Sequence, residues 1–152
     1  MSTLRRAIEI AMDAHRGQVD KHGAPYILHP LCVMAAVSSR ESQIVAALHD
    51  VVEDSEDWTV DRLASEGFDR SIVEAVAALT RDPDDDYFDY VRRLSSNPLA
   101  REVKLADLQD NLDRSRLPGD PTDNDLARFR RYEQALRILN GPQATETSES
   151  TP

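Results

Sequence analysis

Cysteine, lysine and long apolar runs are scarce in this chain of 152 residues. Cys32 has no second cysteine to pair with, which excludes an intrachain disulfide and favours a reducing compartment such as the cytoplasm. No apolar run approaches the roughly 20 residues that a membrane-spanning helix needs. The first residues are amphipathic and lack the apolar core of a secretory signal peptide. We therefore expect a cytoplasmic protein that does not span a membrane.

Basic residues are also in deficit. The chain has 18 lysines and arginines against 28 aspartates and glutamates, which gives a formal net charge of −10. Binding to nucleic acid or to an anionic membrane surface requires a basic face, so neither partner is expected. The same charge disfavours an anionic substrate unless a metal ion or local cations reverse the field around the site.

Strand signals are nearly absent, because β-branched residues do not alternate and glycine is rare. Apolar residues recur at helical spacing instead, which predicts an all-α helical bundle. Residues 1–141 are expected to form one domain, and the polar tail 142–152 is expected to be disordered. Asp69 is expected to cap the helix that follows it. A first helix is predicted to begin at Leu4. Further helices are predicted in the segments 29–39, 41–54, 60–67, 70–81, 87–96, 99–116 and 125–140.

Histidines and acids occur in an arrangement that suits a metal ion. His49 and Asp50 are adjacent in segment 41–54, and His29 begins the preceding predicted helix, a natural neighbour in an antiparallel pair. Imidazoles and carboxylates together suit a divalent transition ion such as Mn²⁺, Fe²⁺ or Zn²⁺. Asp107, in a later predicted helix, would supply a fourth ligand.

Two more acids follow this adjacent pair on the same predicted helix. Glu53 and Asp54 come three to five residues later, so a continuous helix would bring the four side chains to one broad face. Like charges at this spacing destabilise a helix, and a bound cation would offset that cost. The alternative is that these acids form a solvated end of the helix. Glu56 and Asp57, which lie beyond the predicted helix, are expected to be ordinary solvated acids.

The segment "VKLADLQDNLD" carries a cation, a carboxylate and an amide on one helical face. Lys104, Asp107 and Asn111 stand at spacings of three and four residues, which bring side chains together on a helix. An exposed ion pair between Lys104 and Asp107 is the alternative interpretation. Such pairs are common and contribute less than about 1 kcal/mol.

Three ordered motifs then carry a resemblance to a known family. They are "AHRGQVDKHGAPYILHP", "AALHDVVED" and "VKLADLQDNL". Together they resemble the HD-domain hydrolases of the RelA/SpoT type, particularly the small stand-alone alarmone hydrolases such as the metazoan SpoT homologues. The family pattern reads H-x-G-Q-x-R-K-x-G-x-P-Y-x-x-H-P, then A-A-L-L-H-D-x-x-E-D, then K-L-A-D-x-x-x-N. The match runs roughly from residue 3 to residue 140.

The resemblance implies an all-α HD fold and a family reaction, the removal of the 3′-pyrophosphate from ppGpp or pppGpp to give GDP or GTP. It implies that Mn²⁺ is bound by His29, His49, Asp50 and Asp107. It also implies that Glu53 and Asp54 are the catalytic acids that orient or deprotonate the attacking water. The substrate-binding candidates are Lys21, His22 and Lys104, as sources of positive charge, and Asn111, near the sugar. Tyr132 is a further candidate for contact with the nucleotide, and packing within the last helix is an equally favoured role for it.

The chain departs from the family pattern at positions that read the nucleotide. Asp20 stands where the family has an arginine that stacks on the guanine base, a contact that an aspartate cannot make. The segment "ADLQDNLD" stands where the family commonly reads A-D-R-x-H-N-x-R. The metal-binding and hydrolytic positions are complete, whereas the base- and ribose-reading positions are altered.

The leading hypothesis is therefore an Mn²⁺-dependent 3′-pyrophosphohydrolase of (p)ppGpp. An alternative within the same class acts on an adenine alarmone, a nucleoside phosphate or NADPH. A second alternative is an HD module that binds a nucleotide or a partner without turnover. A bifunctional synthetase–hydrolase is not expected, because the length of the chain leaves nothing for a synthetase domain.

Overall fold

The computed structural model of the chain describes residues 2–141. Within that range the chain is all-α, as predicted, and an antiparallel bridge between Val19 and Pro25 is its one extended pairing. The predicted disorder of the tail 142–152 concerns residues outside this range. The helices are α1 (Leu4–Ala14), α2 (Leu28–Ala36), α3 (Arg40–Leu48), α4 (Val51–Asp54), α5 (Val60–Ser65), α6 (Arg70–Leu79), α7 (Tyr87–Leu94), α8 (Pro98–Asn111) and α9 (Asp123–Asn140), with a 3₁₀ turn at Arg114–Arg116.

Side-chain caps determine where most of these helices begin. The Thr3 hydroxyl accepts from the backbone N–H of Arg6 at the start of α1, and Asn97 caps α8 in the same way, with Pro98 in the first turn. Asp69 occupies the N-cap position of α6, as predicted, although its side chain makes no capping hydrogen bond. Gly141 ends α9 with a φ of 70°, a value that favours glycine.

The core is built around α3, which packs against α1, α2, α6 and α8. Val45, Ala46 and Leu48 on this helix are completely buried. A helix that is apolar nearly all round must be enclosed on most sides, and this is why α3 takes the central position. Its C-terminal end therefore meets α2 and α8 inside the molecule. None of the helices in residues 2–141 combines the length and the apolar character that crossing a bilayer demands.

The segment 41–54 is not the single helix that its spacing predicts. Helix α3 ends at Leu48 and α4 begins at Val51, so the chain is interrupted at His49 and Asp50. The carbonyl oxygen of Ala46 would accept from the backbone of Asp50 in a continuous helix, but it lies 2.6 Å from Nδ1 of His49. Asp50 has a φ of −106° and a ψ of 0°, outside ordinary helical values. A side chain thus competes with the backbone and ends the helix.

Candidate metal centre and the adjacent cavity

The four predicted metal ligands lie together in the interior. His29 comes from α2, Asp107 from α8, and the interruption after α3 contributes His49 and Asp50. One nitrogen or oxygen atom from each residue lies within 4.8 Å of the corresponding atoms of the other three. His49 is 2% exposed and Asp107 is 4% exposed, so the cluster is shielded from water.

His49 presents a ring nitrogen that has no hydrogen-bond partner. Its Nδ1 donates to the carbonyl oxygen of Ala46, which leaves Nε2 directed into the cluster. Nε2 lies 3.0 Å from Oδ2 of Asp50 and 3.4 Å from Oδ1 of Asp107, yet it is buried without a hydrogen bond to either. A buried nitrogen without a partner is costly unless something binds to it.

His29 is held between two carboxylates. Its Nε2 lies 2.8 Å from Oδ1 of Asp107, and its Nδ1 lies 2.6 Å from Oδ2 of Asp110. Asp110 was not among the residues that the sequence singled out for this site. It lies on the last turn of α8, one turn after Asp107, and only the tertiary packing of α8 against α2 brings it to His29.

The electrostatics of the cluster favour positive charge between the carboxylates. Burial alone lowers the pKa of His29, but hydrogen bonds with Asp107 and Asp110 outweigh it and raise that pKa to about 9. The pKa of His49 is likewise raised by Asp50 and Asp107 against the effect of its burial. Burial would raise the pKa of Asp107, yet Lys104 and the two imidazoles hold it well below its usual range.

These residues fit a divalent transition ion. Two imidazole nitrogens and two carboxylate oxygens form a mixed donor set of the kind that such ions bind. The unpaired Nε2 of His49 is an independent sign that the cluster is suited to a further partner. The backbone carbonyl at Nδ1 of His49 and the carboxylate at Nδ1 of His29 are the supports that metal-binding histidines usually have.

Tyr26 adds a further contact to the cluster. Its hydroxyl donates to Oδ2 of Asp50 over 2.5 Å. Its ring packs between those of His15 and His29, with centroid distances of 4.9 and 5.8 Å. The tyrosine thus orients one carboxylate of the cluster from the loop between α1 and α2.

Lys104, Asp107 and Asn111 form a buried network on α8. Nζ of Lys104 lies 2.8 Å from Oδ2 of Asp107, and the two side chains are only 12% and 6% exposed. The alternative of an exposed ion pair is therefore wrong. The Asn111 amide donates to Oδ1 of Asp107 over 3.1 Å. One carboxylate is thus hydrogen-bonded by the ammonium of Lys104, the amide of Asn111 and the imidazole of His29.

Glu53 and Asp54 do not share a continuous helical face with His49 and Asp50, because the helix is interrupted between the two pairs. Glu53 lines the same cavity as the cluster, and its Oε1 accepts from the backbone N–H of Arg81 over 2.5 Å. Glu53 is exposed overall, but partial desolvation of its carboxylate raises its pKa to about 7, with the Arg81 hydrogen bond opposing the shift. Asp54 is also exposed overall, and partial desolvation and the charge of Asp50 raise its pKa.

The cavity at the cluster has a volume of about 210 Å³, and both acidic and basic side chains line it. Lys104, Arg81 and Arg131 all line it. The two arginines were missed, because Arg81 lies just after α6 and Arg131 lies within α9, positions at which an arginine carries no special spacing signal. Nε of Arg81 is buried without a hydrogen-bond partner, and its guanidinium lies 5.4 Å from the centre of the Tyr87 ring.

A second cavity of about 400 Å³ adjoins the first. Tyr26, Asn111 and Tyr132 line both cavities, so they mark the junction. Lys21 and His22 are exposed and line the second cavity, and neither lines the first. The candidate substrate-binding residues therefore fall into two groups on either side of this junction.

Asp20 also lines the second cavity, and its side chain is engaged within its own loop. Its Oδ1 accepts from the backbone N–H groups of His22 and Ala24, over 2.8 and 3.0 Å. Arg116 and Arg128 provide the guanidinium groups in this cavity. The position at which the family pattern has an arginine is thus a turn-forming carboxylate here.

No model of a known protein family matches the chain. It is 37% identical over 82 residues to the bifunctional (p)ppGpp synthase/hydrolase SpoT of Escherichia coli, a match that covers 51% of this chain and 11% of the relative. It is 30% identical over 121 residues to the guanosine-3′,5′-bis(diphosphate) 3′-pyrophosphohydrolase of Aquifex aeolicus, covering 72% of this chain and 17% of the relative. It is 38% identical over 87 residues to a probable GTP pyrophosphokinase of Mycobacterium leprae, covering 53% of this chain and 11% of the relative.

The chain thus spans between 11% and 17% of the length of these relatives. The first two names refer to the synthesis or hydrolysis of (p)ppGpp, and the third refers to a GTP pyrophosphokinase. The similarity supports placing the chain with the RelA/SpoT proteins.

Proposed function

We propose that this chain is a metal-dependent hydrolase that removes the 3′-pyrophosphate from ppGpp or pppGpp, giving GDP or GTP and pyrophosphate. The observation that carries the proposal is the buried set of two imidazoles and two carboxylates, with an unpaired Nε2 on His49, at the wall of a cavity that Lys104, Arg81 and Arg131 also line. Similarity to relatives named as (p)ppGpp pyrophosphohydrolases supports the same reaction. The cytoplasm, where this nucleotide is made and used, is the proposed location.

His29, His49, Asp50 and Asp107 would hold the ion, and Mn²⁺ is the proposed metal. A bound divalent ion lowers the pKa of a water molecule and stabilises charge that develops on phosphoryl oxygens. Tyr26 orients the Asp50 carboxylate, and Lys104 and Asn111 orient that of Asp107. These contacts hold the acidic ligands in one arrangement, so that little reorganisation is needed during the reaction.

Glu53 is the proposed proton acceptor. The attacking water forms a bond to phosphorus as the bond between phosphorus and the 3′ oxygen of the sugar breaks. One water proton passes to the Glu53 carboxylate, and the 3′ oxygen keeps the electron pair of the broken bond and takes up a proton from solvent to become the 3′ hydroxyl. The backbone N–H of Arg81 holds that carboxylate at the cavity wall. Its pKa of about 7 suits an acid–base group that works near neutral pH. Asp54, next to it in the chain, is proposed as the second acid, which helps to orient the water.

The cations of the two cavities are proposed to bind the two ends of the nucleotide. Lys104, Arg81 and Arg131 would surround the departing pyrophosphate, and the unpaired Nε of Arg81 is available as a donor. Lys21 and His22 would contact the rest of the nucleotide in the second cavity. Asn111 and Tyr132, which line both cavities, are the proposed neighbours of the sugar.

Incubation of the purified protein with Mn²⁺ and ppGpp tests the proposal. We expect equal amounts of pyrophosphate and GDP, and we expect His49→Ala and Asp50→Ala to release neither. Asp57→Ala, which removes an exposed acid close by in the sequence, should leave the rate unchanged. Intact ppGpp after incubation with the metal-loaded wild type would contradict the proposed substrate.

A second candidate, the hydrolysis of a different phosphorylated nucleotide, is favoured by one observation. The Asp20 carboxylate is engaged in its own turn and lines the cavity proposed for the nucleoside, where it cannot stack on guanine. A panel of guanine and adenine nucleotides, including NADPH, distinguishes the two candidates. Release of pyrophosphate or phosphate from another nucleotide, with ppGpp left intact, would establish the second candidate.

A further inference from the structure

The imidazole of His29 is oriented from behind by a carboxylate outside the set of four ligands. Nδ1 of His29 lies 2.6 Å from Oδ2 of Asp110, and the two side chains are 11% and 10% exposed. A carboxylate at Nδ1 keeps the proton on that nitrogen, so that the lone pair of the neutral ring is on Nε2. Nε2 is the atom that faces Asp50 and Asp107.

Asp110 is itself fixed by Arg116. Nη1 of Arg116 lies 3.0 Å from Oδ2 of Asp110, and Nη2 donates to Oδ1, so the guanidinium holds both carboxylate oxygens. A two-point contact of this kind fixes the plane of the carboxylate as well as its position, which a lysine would not do. Arg116 lies in the 3₁₀ turn Arg114–Arg116, which Asp113 caps through the N–H of Ser115 over 3.0 Å.

The pairing also balances charge. Asp110 is a further acid beside Asp107 and Asp50, and an unpaired carboxylate there would compete for a cation at the wrong face of the imidazole. Arg116 supplies the compensating positive charge from the connection between α8 and α9. The three side chains therefore form a linear series, in which each group contacts the next and only His29 faces the cluster.

We propose that Asp110 and Arg116 are positioning residues of the metal centre, acting in series to hold His29 with Nε2 as its metal-binding atom. This inference rests on the metal centre of the proposed function, and it adds two residues outside the proposed set of four metal ligands. Loss of such an outer carboxylate typically weakens metal affinity by about 10- to 100-fold. Arg116 acts only through Asp110, so its effect depends on that carboxylate.

Titration calorimetry with Mn²⁺ on full-length variants tests the affinity. Asp110→Ala should weaken Mn²⁺ binding by about 10- to 100-fold, and Asp110→Asn by less, because the amide oxygen still accepts from Nδ1. Arg116→Gln should weaken binding in the wild-type chain and have no further effect in Asp110→Ala. Asp113→Asn is the matched control, since it removes an acid next to Arg116 that makes no contact with His29, and asparagine still caps the turn.

A spectroscopic measurement separates positioning from a general loss of structure. In the Zn²⁺-loaded wild type, proton NMR should show a slowly exchanging proton on Nδ1 of His29, and this signal should disappear in Asp110→Ala but persist in Asp113→Asn. Unchanged Mn²⁺ affinity in Asp110→Ala, or a wild-type His29 that carries its proton on Nε2, would overturn the inference. A wild type that binds no divalent ion overturns both proposals, whereas metal binding without ppGpp hydrolysis overturns only the proposed substrate.

Discussion

The hydroxyl of Tyr26 donates a 2.5 Å hydrogen bond to the Asp50 carboxylate, the acid that also lies 3.0 Å from Nε2 of His49. Burial and the adjacent Asp50 charge raise the pKa of Tyr26 well above its ordinary range, so the phenol remains a donor at any physiological pH. A predicted ligand is thus oriented by a neutral group from a loop, which adds no charge to a crowded acidic cluster.

Replacing Tyr26 by phenylalanine should therefore weaken metal binding. Tyr26→Phe removes one hydrogen bond and leaves the ring packing intact, and we expect Mn²⁺ affinity to fall by about tenfold in titration calorimetry. Tyr87→Phe is the matched control, because the buried Tyr87 hydroxyl lines the same cavity without a hydrogen-bond partner. Equal Mn²⁺ affinities for the two variants would show that the Tyr26 hydroxyl does not contribute to metal binding.

Glu53→Gln should lower turnover far more than nucleotide affinity. The glutamine oxygen can still accept from the Arg81 N–H, so the side chain stays in place while it loses the ability to take a proton. General-base groups typically contribute about 10²- to 10⁴-fold, and we expect kcat to fall within that range while KM changes little. Steady-state kinetics with Mn²⁺ and ppGpp measures both, with the exposed Glu56→Gln as control. Full kcat in Glu53→Gln would exclude this residue from the mechanism.

Lys104→Met should destabilise the apo-protein, because it leaves the Asp107 carboxylate buried beside a neutral side chain. Breaking a buried ion pair costs roughly 3–5 kcal/mol, and urea denaturation after treatment with a chelator measures the loss. Arg92→Met is the control, since Arg92 pairs with Asp89 at the same three-residue spacing but both side chains are more than half exposed.

Mn²⁺ gives a second test of the same variant. A cation bound at Asp107 replaces the missing lysine charge, so the difference in unfolding free energy between Lys104→Met and the wild type should narrow when Mn²⁺ is added. If Lys104→Met lowers the unfolding free energy of the apo-protein by no more than Arg92→Met does, the buried ion pair is not the source of that stability.

Asp125 provides a pH-dependent contribution to stability away from the metal centre. Hydrogen bonds from the Thr122 backbone and from Arg128 lower its pKa from 3.8 to about 2. A group whose pKa is lower in the folded state stabilises the fold above its unfolded pKa, and this contribution is lost as the pH falls through the folded value. The effect of Asp125 is therefore complete at neutral pH and fades below about pH 4.

Asp125→Ala should lower the Tm by several degrees at about pH 7, and the difference from the wild type should shrink towards about pH 3. Calorimetry at a series of pH values measures the trend. Asp123→Ala removes an exposed acid from the same helical turn that takes no part in the capping pair, and it should change the Tm little at any pH. A Tm difference for Asp125→Ala that does not depend on pH would contradict the assignment.

Periodic patterns carried most of the information about the fold. Apolar spacing predicted the all-α architecture, because one face of each helix must be buried whatever its partners are. The motifs also indicated that His29, His49, Asp50 and Asp107 belong together, and the geometry brings them within one small volume. These features depend on local spacing and on the order of motifs, both of which are visible in a single sequence.

Contacts between distant segments were not predictable in the same way. Asp110 meets His29 across 81 residues, and Arg81 meets Glu53 across 28. Nothing in the local spacing of Asp110 distinguishes it from the exposed acids of the chain. The interruption after α3 was also missed, because it depends on the His49 ring reaching the Ala46 carbonyl, and apolar periodicity contains no such information.

The interruption between α3 and α4 has a further consequence for how an ion is acquired. The residues on either side of it, Leu48 and Val51, are completely buried and fixed in the core. His49 and Asp50 are therefore ordered when the helices pack, and their conformational entropy is lost during folding rather than on binding. Small zinc domains fold only when they take up metal, whereas a preorganised centre can lose and regain its ion without unfolding. Metal supply, rather than folding, would then control how much of the protein is active.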